Sequence, residues 1–183
     1  LEGEDALRIL DHSTKVRQVI ADLSRRMLEK QTGQISDLIF DSFTSLLRKK
    51  SLISSLKINI DDFSMEIMGA NDQRLSPDDL SAGERQLLAV AMLWGLARAS
   101  NRPLPAVVDT PLGRLDAGHR INLVQNYFPN ASHQVFLLST DEEIDSELYN
   151  VIRPFVSRSY TLKFDDAENA TAISEGYFGV ALT

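Results

Sequence analysis

The sequence predicts an α/β domain built on parallel core strands, and three observations lead there. A small polar turn, Leu80-Ser81-Ala82-Gly83, opens a long apolar helix. The apolar run Ala106-Val107-Val108 then ends on Asp109, and a second run, Val135 to Ser139, ends beside Thr140. Helical patterns alternate with these runs. Strand–helix–strand–helix order implies a layered parallel core whose ligands sit at the carboxyl ends of its strands, where Asp109 and Thr140 both fall.

Residues 5–30 read as helix, with Ile9, Val16 and Leu23 seven apart and Ile20 and Met27 interleaved, a seam that fits the end of a coiled coil. Gly33 marks either a break or a tolerated irregularity. Beyond it Ile35, Leu38, Ile39, Phe43, Leu46 and Leu47 form an apolar helical stripe expected to pack on a globular body. The period then changes to two: Leu56, Ile58 and Ile60, then Phe63, Met65 and Ile67 after Asp61-Asp62, predict a hairpin. Gly69 to Asp79 reads as a polar loop.

From Glu84 to Ala99 nearly every residue is apolar or small, which predicts a helix buried all round, with Trp94 in the core. Asn101 to Pro105 is a loop. Residues 106–108 and 135–139 are expected as buried strands, 117–127 and 142–152 as helices, and Tyr160–Phe164 and Thr171–Ile173 as late strands.

Composition narrows the class. The 183 residues suffice for one domain with a sizeable core, and 43% apolar with 25% charged residues fits a soluble globular protein. There is no apolar run of membrane-spanning length and no visible signal peptide, so no membrane partner is expected. The lack of cysteine excludes disulfides and thiolate metal sites and suits a reducing cytoplasm. Net charge is −7, with ten Lys/Arg against eight Asp/Glu in residues 1–57 and nine against eighteen in the rest. The acidic part is poorly suited to binding DNA phosphates unaided. Basic clusters at Arg25, Arg26 and Lys30 and at Arg48, Lys49 and Lys50 read as solvated helix faces or as a weak DNA contact.

Ser81 and Gly83 can bring a hydroxyl and a backbone N–H to a phosphate, with the start of a helix behind them adding partial positive charge. An aspartate at the end of an inner strand can hold Mg²⁺ beside such a phosphate. No G-x-x-x-x-G-K-[ST] phosphate cradle occurs, so a bound nucleotide needs groups from elsewhere. Together with an opening on Leu1, this leads us to expect one segment of a longer protein. His12, His119 and His133 show no metal-ligand spacing.

On these residues Leu80 to Gln86 resembles the signature motif of ABC-type ATPases, in the Glu-containing form of SMC-like DNA-repair ATPases. Val107 to Asp109 resembles their Walker B strand and Leu115-Asp116 their D-loop. The longer stretches Leu80–Asp116 and Asn126–Asp145 resemble the DndD family, SMC-like ATPases of bacterial DNA phosphorothioation, and the match runs from about Ile35 to Phe178. The Asp-Thr-Pro-Leu-Gly-Arg-Leu-Asp string argues against another SMC-like repair ATPase.

The resemblance implies the carboxyl-terminal half of an ABC/SMC-type P-loop NTPase head, with residues 1–32 the end of a coiled-coil arm and 33–183 the head lobe. It implies ATP and Mg²⁺ as cofactors. Its partners are the protein's own amino-terminal, Walker A-containing half, a second head in a homodimer, DNA, and companion Dnd proteins. Ser81, Ala82, Gly83, Glu84 and Arg85 would meet the opposing head's nucleotide, Asp109 would hold Mg²⁺, and Leu115 and Asp116 would cross the dimer interface. Thr110 stands where a catalytic glutamate is usual, and Thr140 where a switch histidine is usual. Threonine is no general base near neutral pH, which leaves the identity of the base open; Asp141, Glu142 and Glu143 lie near the right strand end and could orient water, Asp141 being the candidate.

Each position also has a plainer reading. Ser81 and Asp116 can be helix caps, Gly83 a tight turn, Asp109 a cap for the segment after it, and residues 141–143 a helix-initiating acidic cluster. Two functions remain open: an ATP-driven motor acting on DNA, inactive as an isolated segment, or a non-hydrolysing clamp in which ATP joins two heads. An isolated segment is expected to aggregate or self-associate, because it exposes the surface its other half should cover.

Overall fold

The computed structural model describes residues 2–110, 112–113 and 115–177, with side chains from residue 8 onward. They form two compact units, which meet in sequence at Arg102 and Pro103.

In the first unit a single helix, α1 (Glu2–Leu46), runs unbroken through Gly33, so of the two readings of that glycine the tolerated irregularity holds. Glycine in a helix interior costs about 1 kcal/mol relative to alanine, too little to break a helix anchored by packing beyond it. A side-chain carbon at Gly33 would meet no atom within 4 Å, so the position faces open space. The apolar stripe behaves as expected: Ile39, Phe43, Leu46 and Leu47 are buried where α1 packs on α2 (Ala82–Ser100) and on β1 (Ile53–Ile58). Toward its start the same helix is bare, and Ile9, Val16, Ile20, Leu23 and Met27 are all exposed.

The hairpin expected after α1 is present. β1 pairs antiparallel with β2 (Met65–Gly69), with Leu56 opposite Ile67 and Ile58 opposite Met65. Ile60 and Phe63 fall in the connecting turn rather than in strands, and Phe63 is exposed with φ 55°. The stretch read as a polar loop contains a short third strand, β3 (Arg74–Leu75), paired to β2, and a 3₁₀ turn at Pro77–Asp79. Two-residue pairing leaves no periodic signal in a sequence. A cleft of about 590 Å³ between α1 and β1 is lined by Glu29, Ser36, Asp37 and Lys57 among others, and holds none of the signature residues.

Helix α2 corrects the expectation of all-round burial. Leu87, Leu88, Ala91, Trp94 and Gly95 are buried, whereas Leu93 and Leu96 are 67% and 46% exposed. The reason is geometric, because α1 covers one face of α2 and the opposite apolar face has no covering element among the described residues. Arg98 lies over the Trp94 ring, 5.7 Å from its centroid, and donates to the Ser42 hydroxyl at 3.2 Å.

The second unit holds the parallel pair. β4 (Ala106–Asp109) and β5 (Val135–Leu138) run parallel with Val108 opposite Leu137 and Asp109 opposite Leu138. Full burial is expected of them, but burial alternates: Val107, Phe136 and Leu138 are exposed while Ala106, Val108, Val135 and Leu137 are half-buried. Parallel strands are normally covered on both faces; here one face is open. The helix expected at 117–127 is α3 (Ala117–Asn122) continued by a π-helical turn at Leu123–Tyr127. The last helix is shorter than expected, α4 being Ser146–Ile152, because Asp145 caps it and residues 141–144 form a turn. Antiparallel β6 (Tyr160–Asp165) and β7 (Ala170–Glu175) match the late strands, and their face bearing Tyr160, Leu162, Phe164 and Ile173 is exposed.

Candidate functional site

The expected site residues fall into two groups, one in each unit. In the first, Ser81 caps α2 in a reciprocal arrangement. Its hydroxyl accepts the Glu84 N–H at 3.2 Å, and the Glu84 carboxylate accepts the Ser81 N–H at 2.8 Å. Serine followed three residues later by glutamate is the sequence form of this box. The plainer reading of Ser81 is therefore present, and its exposed hydroxyl is compatible with a phosphate contact as well. Ala82 and Gly83 form the first turn of the 19-residue α2, where unpaired N–H groups and the helix dipole favour an anion. Arg85 folds back, donating to the Leu80 carbonyl at 2.6 Å and the Pro77 carbonyl at 3.4 Å, so it braces the turn that leads into Ser81.

The second group gathers at the carboxyl ends of β4 and β5. Asp109 closes β4 and is exposed, and its carboxylate has no hydrogen-bond or ion-pair partner among the described residues. Thr110 continues the ladder by donating its N–H to the Leu138 carbonyl at 3.0 Å, and no described N–H of the segment that follows is capped by the Asp109 carboxylate. Thr110 itself has φ 43°. A β-branched residue in this left-handed region is an outlier that costs about 1–3 kcal/mol and clusters at functional sites.

Pro111 and Arg114 of the motif lie outside the described residues. Leu112 and Leu115 are buried, so Leu115 anchors the loop rather than reaching outward. Asp116 caps α3, with Oδ1 accepting the His119 N–H at 2.9 Å and Oδ2 3.1 Å from His119 Nδ1, yet stays 55% exposed. Thr140 is exposed past the end of β5, and its hydroxyl accepts the Glu143 N–H at 3.3 Å.

The three acidic candidates separate. Asp141 and Glu142 are exposed; Glu143 is buried at 8% exposure. Glu143 Oε1 accepts the Leu112 N–H at 2.8 Å, a contact not visible in the sequence. Thr140-x-x-Glu143 has the form of a helix-capping box and half of it forms, the Thr140 hydroxyl accepting the Glu143 N–H, but the helix waits until Ser146 and the glutamate carboxylate turns to the neighbouring loop.

Tyr177 ties this corner down from outside, its hydroxyl donating to the carbonyls of Thr140 at 3.1 Å and Ile144 at 3.0 Å. Burial, with the nearby carboxylates of Asp141, Glu143 and Asp145, raises its phenol above the usual 10.0 against a hydrogen bond with Ser139 that lowers it. Folding then favours the neutral phenol. Its contribution is complete below the unfolded value and is lost as pH climbs through the raised one. Wild-type thermal stability should accordingly fall more between about pH 9 and about pH 11 than that of Tyr177→Phe. Equal losses in the two proteins would exclude the phenol as the cause.

Among the described residues no group of three or more His, Cys, Asp or Glu could hold a metal ion. A lone exposed carboxylate still fits Mg²⁺, which binds through one or two carboxylates together with phosphates and water. No helix among the described residues is long and apolar enough to cross a membrane.

No protein-family model matches the sequence, and neither does any curated protein. Solved structures do. One, from work on ATP-driven dimerization and DNA-stimulated activation of SMC ATPases, aligns with a TM-score of 0.58 at 16% identity over 85% of this chain and 89% of that one. The SMC head domain of Thermotoga maritima aligns at 0.51 and 16% over 79% of this chain and 48% of that one. The Pyrococcus furiosus Smc head with an extended coiled coil, bound to the C-terminal domain of ScpA, aligns at 0.62 and 16% over 88% and 40%. The chain spans most of the first but less than half of the other two. At such identities the likeness speaks for architecture, and the chain has the α/β fold of the carboxyl-terminal portion of an SMC ATPase head.

Proposed function

We infer that this chain is the signature-bearing part of an SMC-like ATPase head that completes the nucleotide site of an opposing head. The observation that carries this reading is the unpaired, exposed Asp109 at the end of a parallel strand, in a chain that also presents a capped Ser81-Ala82-Gly83-Glu84 turn. Its own amino-terminal half would supply the Walker A cradle and cover the open face formed by Val107, Phe136 and Leu138. Asp109 would hold Mg²⁺, whose role is to neutralise charge on the transferring phosphoryl group. Ser81, with the first-turn N–H groups of α2, would face the opposing head's γ-phosphate, and Asp116 would face the partner across the interface. The bare seam of α1 from Ile9 to Met27 would pair with a second helix as the end of a coiled-coil arm.

The setting that the motif resemblance favours is DNA phosphorothioation, with DNA and companion Dnd proteins as partners. A second reading, a clamp that binds ATP without hydrolysing it, is favoured by Thr110 and Thr140 at positions where a glutamate and a histidine are usual.

Substitution at Ser81 tests the shared core of both readings. In the full-length protein Ser81→Ala should cost about 1 kcal/mol through the lost cap while ATP-induced dimers persist. Ser81→Arg should abolish those dimers, seen by light scattering with and without ATP. Dimers that form equally well in Ser81→Arg would remove the signature turn from the nucleotide interface.

A further inference from the structure

Glu143 differs from the acidic residues around it. Asp145 is occupied in capping α4, and Asp141 and Glu142 stand in solvent. Glu143 is buried, with Oε1 on the Leu112 N–H and Oε2 without a hydrogen-bond partner among the described residues. A bare carboxylate oxygen in an interior is costly, and natural proteins hold few such groups. Departures of this kind concentrate where function outweighs stability.

The contact it makes has a definite place. Leu112 lies between Thr110, held in the left-handed region, and Asp116, the cap of α3. Its side chain is fully buried, so its N–H and its side chain fix the same point of the loop. On the other side, the Glu143 N–H is held by the Thr140 carbonyl at 3.2 Å, and Tyr177 pins Thr140 and Ile144. A continuous series of hydrogen bonds therefore runs from Tyr177 through Thr140 and Glu143 to Leu112. It ties the turn after β5 to the loop after β4. A strained residue persists only where its surroundings over-determine it.

We propose that Glu143 is a positioning residue of the ATP-hydrolysing site: it locks the loop after β4 so that Asp109 and Asp116 keep a fixed relation. This rests on the ATPase reading given above. Glu143 does not itself serve as the base in this conformation, because its free oxygen is closed to solvent and no attacking water can touch it.

The test compares wild type, Glu143→Ala and Glu143→Gln in the full-length protein, by hydrogen exchange at the Leu112 amide and by steady-state ATP turnover. Glu143→Ala should speed exchange at Leu112 about tenfold and lower kcat about tenfold with KM for ATP little changed, as loss of one buried hydrogen bond implies. Glu143→Gln keeps an oxygen for the Leu112 N–H and should restore most of both. A Leu112 amide equally protected in Glu143→Ala would overturn the proposal. So would a Glu143→Gln protein inactive despite a protected amide, since charge rather than position would then be at stake. Absence of turnover in the wild type would sink the ATPase reading, while the exchange comparison would still decide whether Glu143 holds the loop.

Discussion

Asp109→Ala in the full-length protein should lower ATP turnover by about 10³-fold or more, the scale on which single charged groups act in phosphoryl transfer. Catalysis of this kind is mostly positioning and charge neutralisation, so on the proposed reading, in which Asp109 would hold Mg²⁺, losing its carboxylate would remove that neutralising charge. Because Asp109 is exposed and unpaired, the same change should leave the thermal midpoint nearly where it was. That combination, dead but stable, separates loss of chemistry from loss of fold. Retention of a tenth of wild-type turnover would remove Asp109 from the metal site. Thr110→Glu belongs beside it. Glutamate is not β-branched and tolerates φ 43° better than threonine does, so the test substitution relieves backbone strain rather than adding it. A protein that forms ATP-dependent dimers without turnover, and gains turnover only in Thr110→Glu, is a clamp and not a motor.

Gly95→Ala should be the most damaging single-methyl change in the first unit. A carbon added at Gly95 would sit 2.5 Å from Ile39 Cγ1 and 2.9 Å from both the Cα and the N of Ile39. The side-chain atom could move aside, but the backbone atoms belong to α1 and can yield only if the two helices separate. Overpacking of this kind costs about 1–3 kcal/mol, while alanine's better helix propensity returns about 1 kcal/mol. The upper part of the overpacking range is expected here, because Ile39 is 1% exposed and cannot relax outward. Trp94, the chain's only tryptophan, is the neighbouring residue and reports directly on this interface. Urea unfolding followed by its fluorescence should shift to lower denaturant in Gly95→Ala. An unchanged midpoint would mean that α1 and α2 approach less closely than their contact implies.

The sequence was most legible where local chemistry alone decides the outcome. Ser81 caps α2 with Glu84 three residues on, Asp116 caps α3, and the alternation around Leu56 and Ile67 becomes a hairpin. It was least legible where burial depends on the surroundings of an element. The apolar residues of α2 and of β4 and β5 predicted full enclosure, yet Leu93, Leu96, Val107 and Phe136 are exposed. Apolarity records that a surface is meant to be covered and says nothing of which segment covers it. Glu143 was hidden for a related reason: its partner, the Leu112 N–H, is a backbone group from a distant part of the chain, and backbone groups leave no trace in residue identity.

The unbroken run of α1 through Gly33 has a mechanical consequence. Ile39 is gripped against Gly95, while the helix continues to Glu2 without a kink-forming proline. At roughly 1.5 Å per residue, its start at Glu2 lies about 56 Å from that grip along the axis. A tilt of about ten degrees at the grip then displaces the far end by about 10 Å, whereas a hinge at Gly33 would have absorbed it. Small rotations of α2 are in this way geared up into large sideways travel, and the gearing ratio is set by the continuity of one helix.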